Sequence, residues 1–352
     1  MKAQQRSMTR FVKILAAALL VTIVLYGVFP AKTVFASDFV VNDTGDAPDD
    51  TLDGICDISP GDGTENCTLR AAIMEANFTG GPDVITFSTA MTINLGSALD
   101  AITGSVTIDA SSTGGLVIVD GNGGAFNGLD IQAGSVAVRA LALIDFDGNA
   151  IHVSGGADGV IIDGNHLGAA SNGTADGGVT GFGVRVIDSP NVSITDNLIS
   201  GNDLGGVYVS GADSDGASIT GNTVGLNLGG DDFLEATPTT DQDGIRLLNV
   251  PNAVIGGSGA AGRNIIAGNY GDGIEVSGTA AGTTIDGNYI GTSAIGEDAI
   301  PNANAGIRLE ITSGVSVGST QGNLISGNSG PGVVVTGSTD VTISDNLIGL
   351  DV

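Results

Sequence analysis

The chain has no tryptophan, four tyrosines and ten phenylalanines in 352 residues, so any large core must be built from Val, Ile, Leu and Ala. Small aliphatic side chains suit thin stacked sheets better than a thick globule. Histidine and cysteine are also scarce, two of each. Lysine stops at Lys32. What is plentiful is glycine, 58 residues, together with 41% hydrophobic residues and a mean hydropathy of +0.29, which argues against a disordered glycine-rich linker.

Basic residues cluster where the chain begins. Lys2, Arg6, Arg10 and Lys13 precede or interrupt an apolar run from Phe11 to Phe29, and Val34-Phe35-Ala36 follows as a small-residue cleavage site. Residues 1–36 are expected to be a secretory signal, with an uncleaved membrane anchor as the alternative. Cleavage would remove five of the eleven basic residues and no acid, leaving six arginines against 39 acids. A surface of that charge repels nucleic acid and anionic lipid, so neither is an expected partner. In an oxidising compartment Cys56 and Cys67, with ten residues between them, are expected to bridge rather than remain thiols or bind metal.

The main signal is a repeat. NLISGN starts at Asn197, NIIAGN at Asn264 and NLISGN again at Asn323, each answered 23 to 25 residues later by GNTVG, GNYIG or DNLIG. A period in the low twenties makes each unit one turn of a solenoid. From Asn165 through Asn197, Asn222, Asn264, Asn288 and Asn323 to Asn346 the steps are 32, 25, 42, 24, 35 and 23 residues. Long and short steps alternate, so the true repeat is two coils, one plain and one carrying an insertion.

Within a coil, GVRV, GVYV, GIRL, GIEV, GIRL and GVVV alternate so that two side chains face inward and one outward. Gly and Asn recur at the corners, where φ above zero is needed. Stacked coils place asparagine on asparagine in an inward ladder whose amides bond from coil to coil. Each strand pairs in parallel with its equivalent, about 4.8 Å away.

Residues 37–90 read differently: a strand-like FVVN, an acidic loop, then TLRAAIMEAN, in which Leu69, Ile73 and Met74 recur at helical spacing behind Thr68 as N-cap. The stretch Cys67 to Asn77, CTLRAAIMEAN, resembles the signature of the CSLREA domain, with Thr68 and Ala71 at the Ser and Glu positions and Arg70 retained. That domain stands at the N-terminus of secreted bacterial proteins that continue as a right-handed parallel β-helix. The expected architecture is therefore all-β: a cap with one helix over residues 37–90, then a right-handed parallel β-helix over 91–352. The last coil, ending in DNLIGLDV, enters a loop it does not complete, so truncation at the C-terminus is expected.

Aligning the strands yields one outward column: Asp130, His152, Arg185, Tyr208, Arg246, Glu275, Arg308 and Val334. Three of the six arginines beyond the expected leader stand in it, each just after an insertion. Two coils apart, about 9.6 Å, they match two residues of an extended acidic glycan, with guanidinium forks on carboxylates and Tyr208 as a stacking face. Arg185, Tyr208, Arg246, Glu275 and Arg308 are the candidate ligand-binding residues. The competing reading is that each arginine pins its own insertion, 168–183, 225–244 or 291–306, through acids such as Asp176, Asp231, Asp232, Glu297 and Asp298.

Catalysis has less support. The fold resembles that of pectate lyases and polygalacturonases, but in the stretch Ser189 to Val209 only Asp203 matches the paired aspartates of the hydrolase, with Leu204 replacing the second. Neither His152 nor His166 lies in a Gly-His-Gly context, so no catalytic residue is assigned. Calcium is the expected cofactor, if there is one, and Asp46, Asp49, Asp50 and Asp53 in the acidic loop are its candidate ligands, an ordinary solvated loop being the alternative. The sequence thus points to a secreted or cell-surface monomer that binds extracellular polysaccharide or matrix without catalysis. A calcium-dependent polysaccharide lyase and a structural adhesin stalk are the alternatives.

Overall fold

A computed structural model describes residues 36–61, 63–234 and 242–349; the expected leader, apart from Ala36, lies outside them. These residues form a right-handed parallel β-helix of three sheets, with eleven, ten and eight strands. A coil visits the sheets in turn: Ser193–Thr195 in the first, Leu198–Ile199 in the second, Gly205–Ser210 in the third, then Ser218–Thr220 back in the first. All pairings between these strands are parallel, and each strand bonds to its equivalent one coil on. Among the described residues no helix is long and apolar enough to cross a membrane.

The core is aliphatic throughout, as the scarcity of aromatics requires. In the third sheet Leu129, Ile151, Val184, Val207, Ile245, Ile274 and Ile307 stack in register and are almost fully buried. Each such side chain contributes about 1.5–3 kcal/mol of burial. Inside the corner between the first and second sheets runs the asparagine ladder. The Oδ1 of Asn197, Asn222, Asn264, Asn288, Asn323 and Asn346 each accepts from the amide side chain of the asparagine one coil earlier, at 2.8–3.0 Å. The left-handed residue at this corner is the one just before the ladder position, Gly164, Asp196, Gly221, Gly287, Gly322 or Asp345; Arg263 alone breaks the pattern. The asparagines are therefore free to point inward.

The same hexapeptide builds a second ladder that sequence reasoning missed. Its last residue supplies Asn269, which donates to Asn302 at 2.8 Å, and Asn302 donates to Asn328 at 2.8 Å. Insertions start just past the second sheet, where antiparallel bridges Ala169↔Asp176, Leu226↔Phe233 and Thr292↔Ala299 fold each into a small hairpin.

Asp38–Val41 and Asp83–Phe87 are the first two rungs of the eleven-stranded sheet, so residues 37–90, expected as a separate cap, contribute strands to the solenoid. Helix α1, Leu69–Thr79, is capped by the Thr68 hydroxyl, which accepts from the Ala71 N–H at 3.1 Å. Cys56 and Cys67 form a disulfide with Cα atoms 5.2 Å apart.

Candidate functional site

Parallel pairing in the third sheet carries the outward column as the alternation predicts. The registers Asp130↔His152, His152↔Arg185, Arg185↔Tyr208, Tyr208↔Arg246, Arg246↔Glu275, Glu275↔Arg308 and Arg308↔Val334 place all eight residues in one file. From Asp130 to Arg308 each is held out by buried neighbours on both sides; the neighbours of Val334 are only partly buried or exposed.

Midway along this file lies a groove of about 580 Å³, lined by Arg185, Tyr208, Arg246, Phe182, Leu204 and the corner residues 147–149 and 180–181. Phe182 stacks on Tyr208 with ring centroids 5.1 Å apart and planes 17° from parallel. The position equivalent to Phe182 one coil on is Gly205, at φ +123°, where a Cβ would meet the Asp243 carbonyl oxygen at 2.5 Å. No side chain fits there. Arg185 makes no ion pair among the described residues.

None of the three column arginines bonds to an insertion acid among the described residues. Arg246 approaches Glu275 of its own column at 3.6 Å. Arg308 forks onto Asp272, Nε to Oδ2 at 2.6 Å and Nη2 to Oδ1 at 3.1 Å. The pairings run between neighbouring coils of the sheet, because Asp272 sits three residues before Glu275, where the chain enters the strand. Asp243 occupies the same position before Arg246, and the Asp272 N–H donates to its Oδ1 at 2.7 Å.

Asp243, Asp272 and Glu275 bring a carboxylate oxygen each within 4.8 Å of one another, which makes them the residues able to hold a metal ion among those described. Two of the three have an arginine. Asp243 has none, is 5% exposed, and its Oδ2 lacks a hydrogen-bond partner. Burial, with the charges of Glu275 and Asp272 beside it, pushes its carboxyl up to about 8, against a hydrogen bond from the Asp272 N–H.

At the other end of the file His152 Nδ1 lies 2.8 Å from Asp130 Oδ1, one rung before Arg185. Sequence reading had both residues in the column without pairing them.

The acids of the capping loop do not gather at one point. Asp46 receives a bidentate fork from Arg70, Nε to Oδ1 and Nη2 to Oδ2 both at 2.9 Å, and the Gly96 N–H at 2.8 Å. Asp49 accepts from the Thr51 and Asp57 N–H groups at 2.9 Å each, and Asp53 from Ile55 at 3.0 Å. The Thr51 hydroxyl lies 3.4 Å from Asp50. Their negative charge is met by Arg70 and by turn N–H groups, which a count of acids along the chain does not reveal.

No family model matches the chain, and no curated protein does. Solved structures with similarity include two Azotobacter vinelandii mannuronan C-5 epimerase A-modules. The AlgE6 module is 15% identical over 84% of this chain and 85% of that one, TM-score 0.46. The AlgE4 module is 14% identical over 86% and 97%, TM-score 0.38. The Dettilon tailspike protein gp208 is 14% identical over 84% and 68%, TM-score 0.34. Likenesses at this level carry no argument about what the chain binds.

Proposed function

We propose that the protein is a secreted or cell-surface β-helix that binds an extended acidic polysaccharide in the groove of its third sheet, without cleaving it. The observation that carries this reading is Arg185: in a chain whose acids outnumber its basic residues 39 to 11, this groove arginine has no acidic partner among the described residues. Beside it the Phe182–Tyr208 pair offers an apolar face for a sugar ring, and Arg246 a second guanidinium. The disulfide and the cap resembling the CSLREA signature fit an exported protein.

A charge-assisted hydrogen bond contributes about 1.5–3 kcal/mol, so Arg185→Ala should weaken binding of an acidic polysaccharide by roughly 10- to 100-fold. Titration calorimetry on the intact chain measures this. Unchanged affinity in Arg185→Ala, Arg246→Ala and Tyr208→Ala would remove the groove from consideration.

A calcium-dependent lyase is the second reading, favoured by the acid cluster beside Arg246 and by the His152–Asp130 pair. Asp272 is already taken by Arg308 and by the Ala305 N–H, so Asp243 Oδ2 and Glu275 would hold the ion and the ligand's oxygens would complete its shell. Bound calcium would supply Lewis-acid polarisation of a uronate carboxylate. Absence of unsaturated product from polygalacturonate with calcium, across a wide pH range, would exclude it.

A further inference from the structure

The charge along the file, within the groove at Arg185, Tyr208 and Arg246 and beyond it at Glu275 and Arg308, is not uniform. Arginine stands on every second rung, Arg185, Arg246 and Arg308, and the rungs between carry Tyr208 and Glu275. Tyr208 has Phe182 against its ring and presents no positive charge. Glu275 is worse than neutral for an anion: it leans on Arg246 and has the Asp272 carboxylate behind it. A carboxylate laid on either intermediate rung would lose its hydration and meet an aromatic face or a like charge.

An extended pyranose chain advances by roughly one coil spacing, about 5 Å, per sugar. A polymer with an acid on every residue, lying along the file with those acids turned to the sheet, would therefore set carboxylates over Tyr208 and Glu275 between those it sets on the arginines. A polymer with an acid on alternate residues meets no such conflict. Its acidic sugars would fall on Arg185 and Arg246, about 9.6 Å apart, and its neutral sugars on the stacked rings and on Glu275, where hydroxyls can donate to the carboxylate.

We infer that the groove selects a polysaccharide of alternating acidic and neutral sugars over a homopolymer of uronic acid. This rests on the proposed function and adds the periodicity of the ligand. The repulsive rung matters as much as the attractive ones, since specificity is a difference of two affinities.

The test uses the intact chain and two sets of oligosaccharides of equal length, hyaluronan fragments (a carboxylate on alternate residues) and oligogalacturonate (a carboxylate on each), titrated at one ionic strength. The expected result is at least about tenfold tighter binding of the hyaluronan fragments, abolished in Arg185→Ala, together with a gain for oligogalacturonate in Glu275→Gln. Equal or tighter binding of oligogalacturonate, lost in Arg185→Ala, overturns the periodicity and leaves the groove standing. Binding of neither, or binding indifferent to Arg185→Ala and Arg246→Ala, overturns both.

Discussion

Asn222 is the residue whose loss should be felt most. It is fully buried, its Oδ1 accepts from the Asn197 N–H and Nδ2 at 3.0 Å each, and its Nδ2 donates to Ile194 O at 2.8 Å and to Thr220 O and Asn264 Oδ1 at 3.0 Å. Asn222→Ala deletes all five bonds and strands the Asn197 N–H without water to replace them. One orphaned buried donor costs about 1–3 kcal/mol, and the remaining lost bonds together with the void bring the total to roughly 3–5 kcal/mol. Asn346 at the far rung makes the same kind of bonds but is half-buried, so water substitutes and Asn346→Ala should cost only about 1 kcal/mol. Asn222→Asp adds a signature: a buried carboxylate with no cation is least stable when ionised, so this variant should recover part of its loss on acidification, whereas Asn222→Ala should not. Urea titrations followed by circular dichroism, with hydrogen exchange of the coils on either side, measure the effect. Equal losses at Asn222 and Asn346, or a loss at Asn222 below about 1 kcal/mol, would refute the ladder as the support of the rod.

Other perturbations report on single groups. Asp286 is held at about 2: burial alone would raise it, but hydrogen bonds from Ser319, Thr320 and Gly322 outweigh that. Its stabilising effect is full above the ordinary value of 3.8 and lost as pH falls through about 2. Asp286→Asn should therefore lose about 1 kcal/mol at neutral pH, after allowing for solvent screening, and only a small part of that once pH has fallen to about 2; thermal melts at both pH values check this. Asp243 has the opposite sign. The unfolded chain releases this proton near 3.8 and the folded one near 8, so stability falls as pH rises between those values, and Asp243→Asn should flatten that decline in melts with a chelator present. Reducing the Cys56–Cys67 bridge should loosen the cap by about 2–3 kcal/mol, seen as faster proteolysis of the loop without loss of the later coils.

How much was legible in the sequence depended on the range of the signal. The column from Asp130 to Val334 was found because strand alternation is local and parallel stacking copies it unchanged. Asp272 and Phe182 were missed because each sits three residues before a column residue, at the strand entry, where no alternation marks it. Asp243 lies within the 225–244 insertion by sequence, but its partners Asp272 and Glu275 come from the next coil, where no local pattern points to them. The calcium expectation for Asp46, Asp49, Asp50 and Asp53 considered only acids near one another in the chain. Their partner Arg70 comes from a helix 24 residues beyond Asp46, and the Gly96 N–H from 50 residues beyond. The second ladder is partly spelled in the same hexapeptide as the first, but its middle rung, Asn302, falls outside any copy of that hexapeptide and hides the repetition.

The insertions also touch one another. The Leu228 N–H donates to Gly173 O, and the Ala294 N–H to Gly230 O, both at 2.8 Å, so each hairpin is bolted to the one two coils earlier. Deleting or duplicating a single coil would set a hairpin above a coil that has none, and would bring an arginine onto the wrong rung beside its neighbour. Removing or adding coils in pairs leaves both the bolts and the alternation of the file intact. Whether by recombination or by protein engineering, this rod can change length only in even steps without losing the pattern it displays.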